Sequence, residues 1–145
     1  MSASDAVLDF RVPPEPHLSR VVREGVATFA RSHGVGEDDL SHFLTALGEA
    51  LANAMEHARA QQPLTVEVRL SDDRIVATVQ DNGVGFPSAR TIVEPQLPNL
   101  DSERGRGLPI MRRCSDIFAV ESTPGQGTAV MLGRYLREPK SEDVA

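Results

Sequence analysis

The spacing of apolar residues along this chain switches between two and three-or-four, and each switch marks an element. Val7 to Val12 alternates weakly and runs into Pro13-Pro14-Glu15-Pro16, which predicts a short edge strand ended by a turn. From about His17 to His33, Leu18, Val21, Val22, Val26, Phe29 and Ala30 recur at helical spacing. Gly34 and Gly36 interrupt that pattern. Glu37-Asp38-Asp39 then place acids where a helix dipole favours them, so a second helix begins there and runs to about Ala60, where Gln61-Gln62-Pro63 stops it. Leu64, Val66, Val68 and Leu70 alternate strictly, Ser71-Asp72-Asp73 turns the chain, and Ile75 to Gln80 returns as a β-branched run. This predicts an antiparallel hairpin.

The second helix has two faces. Steps of four advance about 40° around a helix axis, so Glu49, Asn53 and His57 lie along one side. Leu40, Leu44, Leu47, Leu51 and Met55 form an apolar stripe on the other side, which predicts a packing face and a chemical face on one element. Further on, residues 86–106 contain three prolines and no sustained period, which predicts a loop well beyond the usual length of about four to six residues. Gly105-Arg106-Gly107-Leu108-Pro109 then opens a third helix with Leu108, Met111 and Cys114 facing inward; Pro109 is tolerated in its first turn. Ile117 to Ser122 and Thr128 to Leu136 read as strands joined by Thr123-Pro124-Gly125-Gln126-Gly127. From Glu138 the chain is charged and contains Pro139, so residues 1–137 are expected to form the domain and 138–145 a flexible tail.

Composition narrows the function classes. A chain of 145 residues with 40% apolar content suits a single core. The net charge of −6 and the dispersed arginines argue against a nucleic-acid surface and leave room for a protein partner. No run approaches the apolar length of a membrane span, and Met1-Ser2-Ala3-Ser4-Asp5 does not look like a signal peptide, so a cytoplasmic protein is expected. Cys114 stands alone, which excludes a disulfide framework or a thiolate zinc site and leaves packing as its role.

Three motifs hold candidate chemistry, and each has an ordinary alternative. Asp81-Asn82-Gly83-Val84-Gly85-Phe86 contains a good turn dipeptide, but alternation does not resume after it, and the second glycine suits backbone brought close to a ligand. Gly105-Arg106-Gly107 reads either as flexible capping or as a phosphate site at a helix start, with Arg104 and Arg106 favouring phosphate. Glu49, Asn53 and His57, taken alone, read as a solvated helix face.

Taken together and in this order, the motifs resemble those of the GHKL ATPase superfamily, which includes DNA gyrase, MutL and the histidine kinases. Within it the chain is similar to the stand-alone anti-sigma-factor serine kinases of the RsbW and SpoIIAB type. Gly48-Glu49-Ala50-Leu51-Ala52-Asn53-Ala54-Met55-Glu56-His57-Ala58 matches the N box, and Asp81 to Phe86 the first glycine box. Gly105-Arg106-Gly107-Leu108 matches the second, and Gly125-Gln126-Gly127-Thr128 the last. The resemblance implies an α+β two-layer sandwich, the Bergerat fold, with a mixed, mainly antiparallel sheet and helices on one face.

The resemblance also implies roles. Asn53 would ligate magnesium through its side-chain oxygen, a hard neutral donor, and Asp81 would accept from the adenine amine of ATP. Gly83 and Gly85 would let backbone approach the nucleotide, while Gly105 and Gly107 would hinge a lid over 86–106. N–H groups around Gly105 to Leu108 would bind phosphates, and Arg104 or Arg106 would offset phosphate charge. Thr128 would hydrogen-bond near the base, directly or through water. Glu49 would be the general base or orienting group for an attacking hydroxyl. For His57, phosphate-side contact and structural hydrogen bonding stay equally open. Pro109, directly after the second glycine box, departs from the family's usual pattern and would stiffen the lid hinge.

The implied activity is transfer of the γ-phosphate of magnesium ATP to a serine or threonine of a small anti-anti-sigma protein of the STAS type. The resemblance adds sequestration of a sigma factor, a partner contact at Arg20, and homodimerisation. Three competing readings share the boxes. A histidine-kinase catalytic domain would need a phosphoacceptor, which Pro16-His17-Leu18-Ser19-Arg20 mimics without the acidic residue that should follow His17. A gyrase-like hydrolase would need further domains to use ATP-driven closure. A nucleotide-dependent binding switch would need no Glu49.

Overall fold

The computed structural model describes residues 5–57, 62–81, 90–93, 113–123 and 127–139. Its elements follow the order β1 (Ala6–Val12), α1 (Leu18–Ser32), α2 (Glu37–His57), β2 (Leu64–Leu70), β3 (Arg74–Gln80), β4 (Arg90–Val93), β5 (Ile117–Thr123) and β6 (Gly127–Tyr135). The described strands form one six-stranded sheet in the order β1-β2-β3-β6-β5-β4. Every pairing among the described strands is antiparallel, in keeping with the mainly antiparallel sheet expected from sequence.

One face of the sheet carries the core. Leu64, Val66, Val68 and Leu70 on β2 are buried, and so are Ile75, Ala77 and Val79 on β3. The alternate residues Thr65 and Arg69 are exposed, as period-two geometry requires. Helix α2 packs on β3 and β6, and α1 packs on α2 and β1. Enclosed between α1 and the sheet, α2 buries a wider arc than its leucine stripe indicates: Phe43, Ala46, Ala50 and Ala54 are buried beside Leu40, Leu47, Leu51 and Met55, while Leu44 is only half-buried.

The link between the helices is a glycine-dependent stop. Gly34 has φ of 86°, a conformation that L side chains rarely adopt. Its N–H donates to the Arg31 carbonyl and the Val35 N–H to the Ala30 carbonyl, at 3.0 and 3.1 Å, closing α1 with a Schellman motif.

Two expectations change. Strand β4 lies inside the stretch read as a loop and pairs with β5 from Arg90 opposite Ser122 to Val93 opposite Ala119. Four residues are too few to display a period, so the pairing is set by the sheet edge that β5 offers. Glu138, assigned to the tail, is half-buried and accepts hydrogen bonds from the Asp38 and Asp39 N–H groups at 2.9 and 3.3 Å. The third helix expected before Cys114 falls almost entirely outside the described residues; Cys114 itself packs against the core.

Candidate functional site

Helix α2 brings Glu49 and Asn53 to the same side, one turn apart, with Leu47, Leu51 and Met55 buried opposite. Both polar side chains are half-buried, and neither has a hydrogen-bond or ion-pair partner among the described residues. A solvent-reachable carboxylate and amide one turn apart, neither tied to another side chain, are available to a ligand. His57 is the last residue of α2; its side chain lies outside the described residues.

The second half of the site is where β3 ends beside the start of β6. Asp81, 3% exposed, donates its N–H to the Thr128 carbonyl at 2.9 Å, and its Oδ1 accepts the Thr128 N–H at 3.2 Å. The carboxylate is therefore aimed by backbone, a firmer hold than a flexible side chain gives. Thr128 Oγ1 lies 3.0 Å from Ser122 Oγ, and Ser122 Oγ also donates to the Gly127 carbonyl at 3.4 Å. Gly127 has φ of 105°, so the last glycine box supplies the one residue type that takes this turn without strain.

Ser122, 2% exposed, is a member of this network that the sequence reading passes over. A signal for it exists: Phe118, Val120 and Ser122 share one parity along β5, and the first two are buried.

The two halves belong to one frame. Asp39, near the start of α2, is bonded to Arg134 near the end of β6, so α2 runs back along the sheet toward Thr128. Gly83, Gly85, Arg104, Gly105, Arg106, Gly107 and Leu108 lie outside the described residues, as do Pro109 and, apart from β4, the proposed lid over 86–106. Arg20 sits exposed on α1, in an i,i+4 pair with Glu24 at 3.1 Å.

Among the described residues no group of three or more His, Cys, Asp or Glu could hold a metal ion by itself. The side-chain oxygen of Asn53 fits a different kind of site, one in which a hard cation keeps waters and phosphate oxygens and takes a single protein donor. No described helix is long and apolar enough to cross a membrane.

The pattern that defines the histidine kinase-like ATPase domain matches residues 12–133, a span that contains Glu49, Asn53, Asp81 and Thr128. The chain belongs to this family. A nucleotide site follows from that membership, and the buried, backbone-held Asp81 and the Glu49–Asn53 face of α2 both fall inside the matched span. The chain is also similar to proteins named anti-sigma F factor. It is 31% identical over 118 residues to that of Caldanaerobacter subterraneus subsp. tengcongensis, covering 79% of this chain and 82% of the relative. It is 30% identical over 125 residues to that of Bacillus licheniformis, covering 82% and 85%.

A crystal structure of the RsbU and RsbW domains of a Mycobacterium tuberculosis protein superposes with a TM-score of 0.66 at 17% identity, over 93% of this chain and 34% of that one. At that identity the likeness concerns the fold: an α+β sandwich with an antiparallel sheet and helices on one face.

Proposed function

We propose that this protein is an ATP-dependent serine/threonine kinase that phosphorylates a small STAS-type anti-anti-sigma protein, binds a sigma factor, and acts as a homodimer in the cytoplasm. The observation that carries the reading is the pairing of a half-buried, unpartnered Glu49 with Asn53 one turn along α2, on a frame whose other corner is Asp81. A passive switch needs only the nucleotide corner; phosphotransfer also needs a group beside the phosphates that orients and deprotonates the attacking hydroxyl. Similarity to anti-sigma F factors over more than four fifths of those proteins supports the choice of partners.

In this reading Asp81 accepts from the adenine amine, and the hydrogen bond that the Thr128 N–H donates to its Oδ1 fixes the carboxylate before the nucleotide arrives. Gly83 and Gly85 let the backbone approach the nucleotide. Gly105, Gly107 and Leu108 contribute N–H groups to the phosphates, Arg104 and Arg106 offset their charge, and His57 adds either a phosphate-side contact or a structural hydrogen bond. Asn53 would hold the magnesium ion, which would neutralise phosphate charge when bound.

Glu49 orients the partner's hydroxyl and takes its proton as that oxygen bonds to the γ-phosphorus; the bond to the bridging oxygen breaks and ADP leaves. Positioning and charge neutralisation contribute most of the rate. Arg20, exposed on α1, contacts the partner once it leaves its pair with Glu24, a step with little cost because an exposed pair contributes about 1 kcal/mol or less.

The test is incubation of the protein with γ-labelled ATP, magnesium and the STAS-domain proteins of its own host, followed by phosphopeptide mapping. Label on a serine or threonine of one of them is the expected result. ATP binding with no label on any of them would leave a binding switch, and label on a histidine of this chain would leave a histidine kinase.

A further inference from the structure

Away from the nucleotide corner, the densest polar network among the described residues joins the start of α2 to the end of β6 and the segment after it. Asp39 is fully buried, and its Oδ1 accepts from Arg134 Nε at 2.8 Å. Its Oδ2 accepts the N–H groups of Arg137 and Glu138 at 2.8 and 2.9 Å. Glu138 returns the contact, its Oε1 accepting the N–H groups of Asp38 and Asp39. The two carboxylates thus cap each other's backbone across 99 residues of sequence. Gly36 is part of the arrangement, because a Cβ there would overlap the Glu138 carboxylate.

The same two elements carry both the clamp and the site. On α2, Asp39 and Asn53 are 14 residues apart, about 21 Å along a helix axis. On β6, Arg134 and Thr128 are six residues apart, about 20 Å along a strand. One end of the frame is bolted, and the other end is where the metal-side and adenine-side groups must stay in register. At that lever length a tilt of about 3° at Asp39 moves Asn53 by about 1 Å, and a misplacement of about 1 Å can cost about a hundredfold in a positioned reaction.

We infer that Asp39, Arg134 and Glu138 are positioning residues: they lock α2 against β6 and so hold Asn53 and Glu49 at the height over the sheet that magnesium ATP requires. The inference rests on the nucleotide reading above and extends it to groups at the far end of the molecule. It assigns the segment after β6 a part in setting nucleotide affinity.

Calorimetric titration of ATP with and without magnesium tests it, on the whole chain carrying Asp39→Asn or Glu138→Gln, with thermal midpoints measured in parallel. Binding without magnesium, which depends on the Asp81 corner, is expected to change by less than about twofold. The gain in affinity that magnesium brings is expected to fall by about ten- to a hundredfold, the scale of loss that a misplacement of about 1 Å brings. Val26→Ala, a core change in α1, is the comparison: it lowers the midpoint and leaves the magnesium gain intact.

A magnesium gain equal to wild type in a folded Asp39→Asn protein overturns the inference and leaves the clamp a matter of stability. If Asp39→Asn does not fold, Glu138→Gln at the rim of the network decides by the same criterion. Wild-type protein that binds ATP with no magnesium gain refutes the role of Asn53 and removes the inference with it.

Discussion

Asp81 and Asp39 are both buried carboxylates, and their surroundings give them opposite tasks. Asp81 is held by the Thr128 backbone where β3 ends beside the start of β6. Replacing it with Asn keeps the shape and exchanges an acceptor for a donor at one position, so Asp81→Asn is expected to reduce ATP affinity by at least about tenfold, the loss of one charged hydrogen bond. The thermal midpoint should change little. Equal titrations of wild type and variant would show that this carboxylate does not contact the base.

Asp39 faces inward to protein groups only. Burial by itself would raise its pKa, but the Glu138 N–H, the Arg134 guanidinium and the Arg137 N–H together outweigh burial and hold it below the usual carboxylate value. Asp116 is held down in the same way, burial opposing and Arg137 with the Tyr135 N–H prevailing. Because both folded values are depressed, their stabilisation is complete above the ordinary carboxylate pKa near 4 and is lost as pH falls through the lowered values. Urea midpoints should therefore be flat from about pH 7 to 5 and drop steeply below about pH 4, with a shallower drop in Asp39→Asn. Identical acid slopes for the two proteins would contradict the pairing.

None of this was readable locally. Glu37-Asp38-Asp39 looks like a solvated helix start, and the groups that bury Asp39 lie 95 or more residues away.

At the scale of the element, periodicity performed well where a segment was long. The ranges expected for α1, β2, β3, β5 and β6 match those observed within two residues, because each shows several cycles of its period against one neighbour. It fell short for β4, where Arg90, Thr91, Ile92 and Val93 allow no full pattern and only β5 defines the strand.

It also fell short for the breadth of the α2 core face. A stripe of leucines describes a helix with one packing partner, and α2 has α1 on one side and β3 with β6 on another. Phe43, fully buried and outside that stripe, is the consequence. Phe43→Ala is expected to destabilise the fold by about 3–5 kcal/mol through lost burial and the cavity left behind, measurable as a lowered urea midpoint with unchanged slope. A loss below about 1 kcal/mol would place Phe43 at a surface.

At the scale of the whole molecule, the site is a meeting of distant parts. One wall is a helix face from the first half of the chain, and the other is a hydrogen-bonded corner where β3 ends, β6 begins and Ser122 of β5 backs them. The glycine of the last box was legible as sequence because the turn at Gly127 demands that residue type. Ser122, Asp39 and Glu138 were not, because their roles arise from which elements the sheet order makes neighbours. Family membership gives the molecule a nucleotide site, and the proposed use of that nucleotide rests on the face of Glu49 and Asn53.

Whether that use is phosphotransfer turns on Glu49, the group that a kinase requires and a switch does not. The direct measurement is single-turnover transfer from γ-labelled magnesium ATP to the STAS-domain substrate by wild type and Glu49→Gln, with ATP affinity determined on the same samples. The account predicts unchanged affinity and a rate lowered by about 10²- to 10⁴-fold. Undiminished transfer by Glu49→Gln would contradict it.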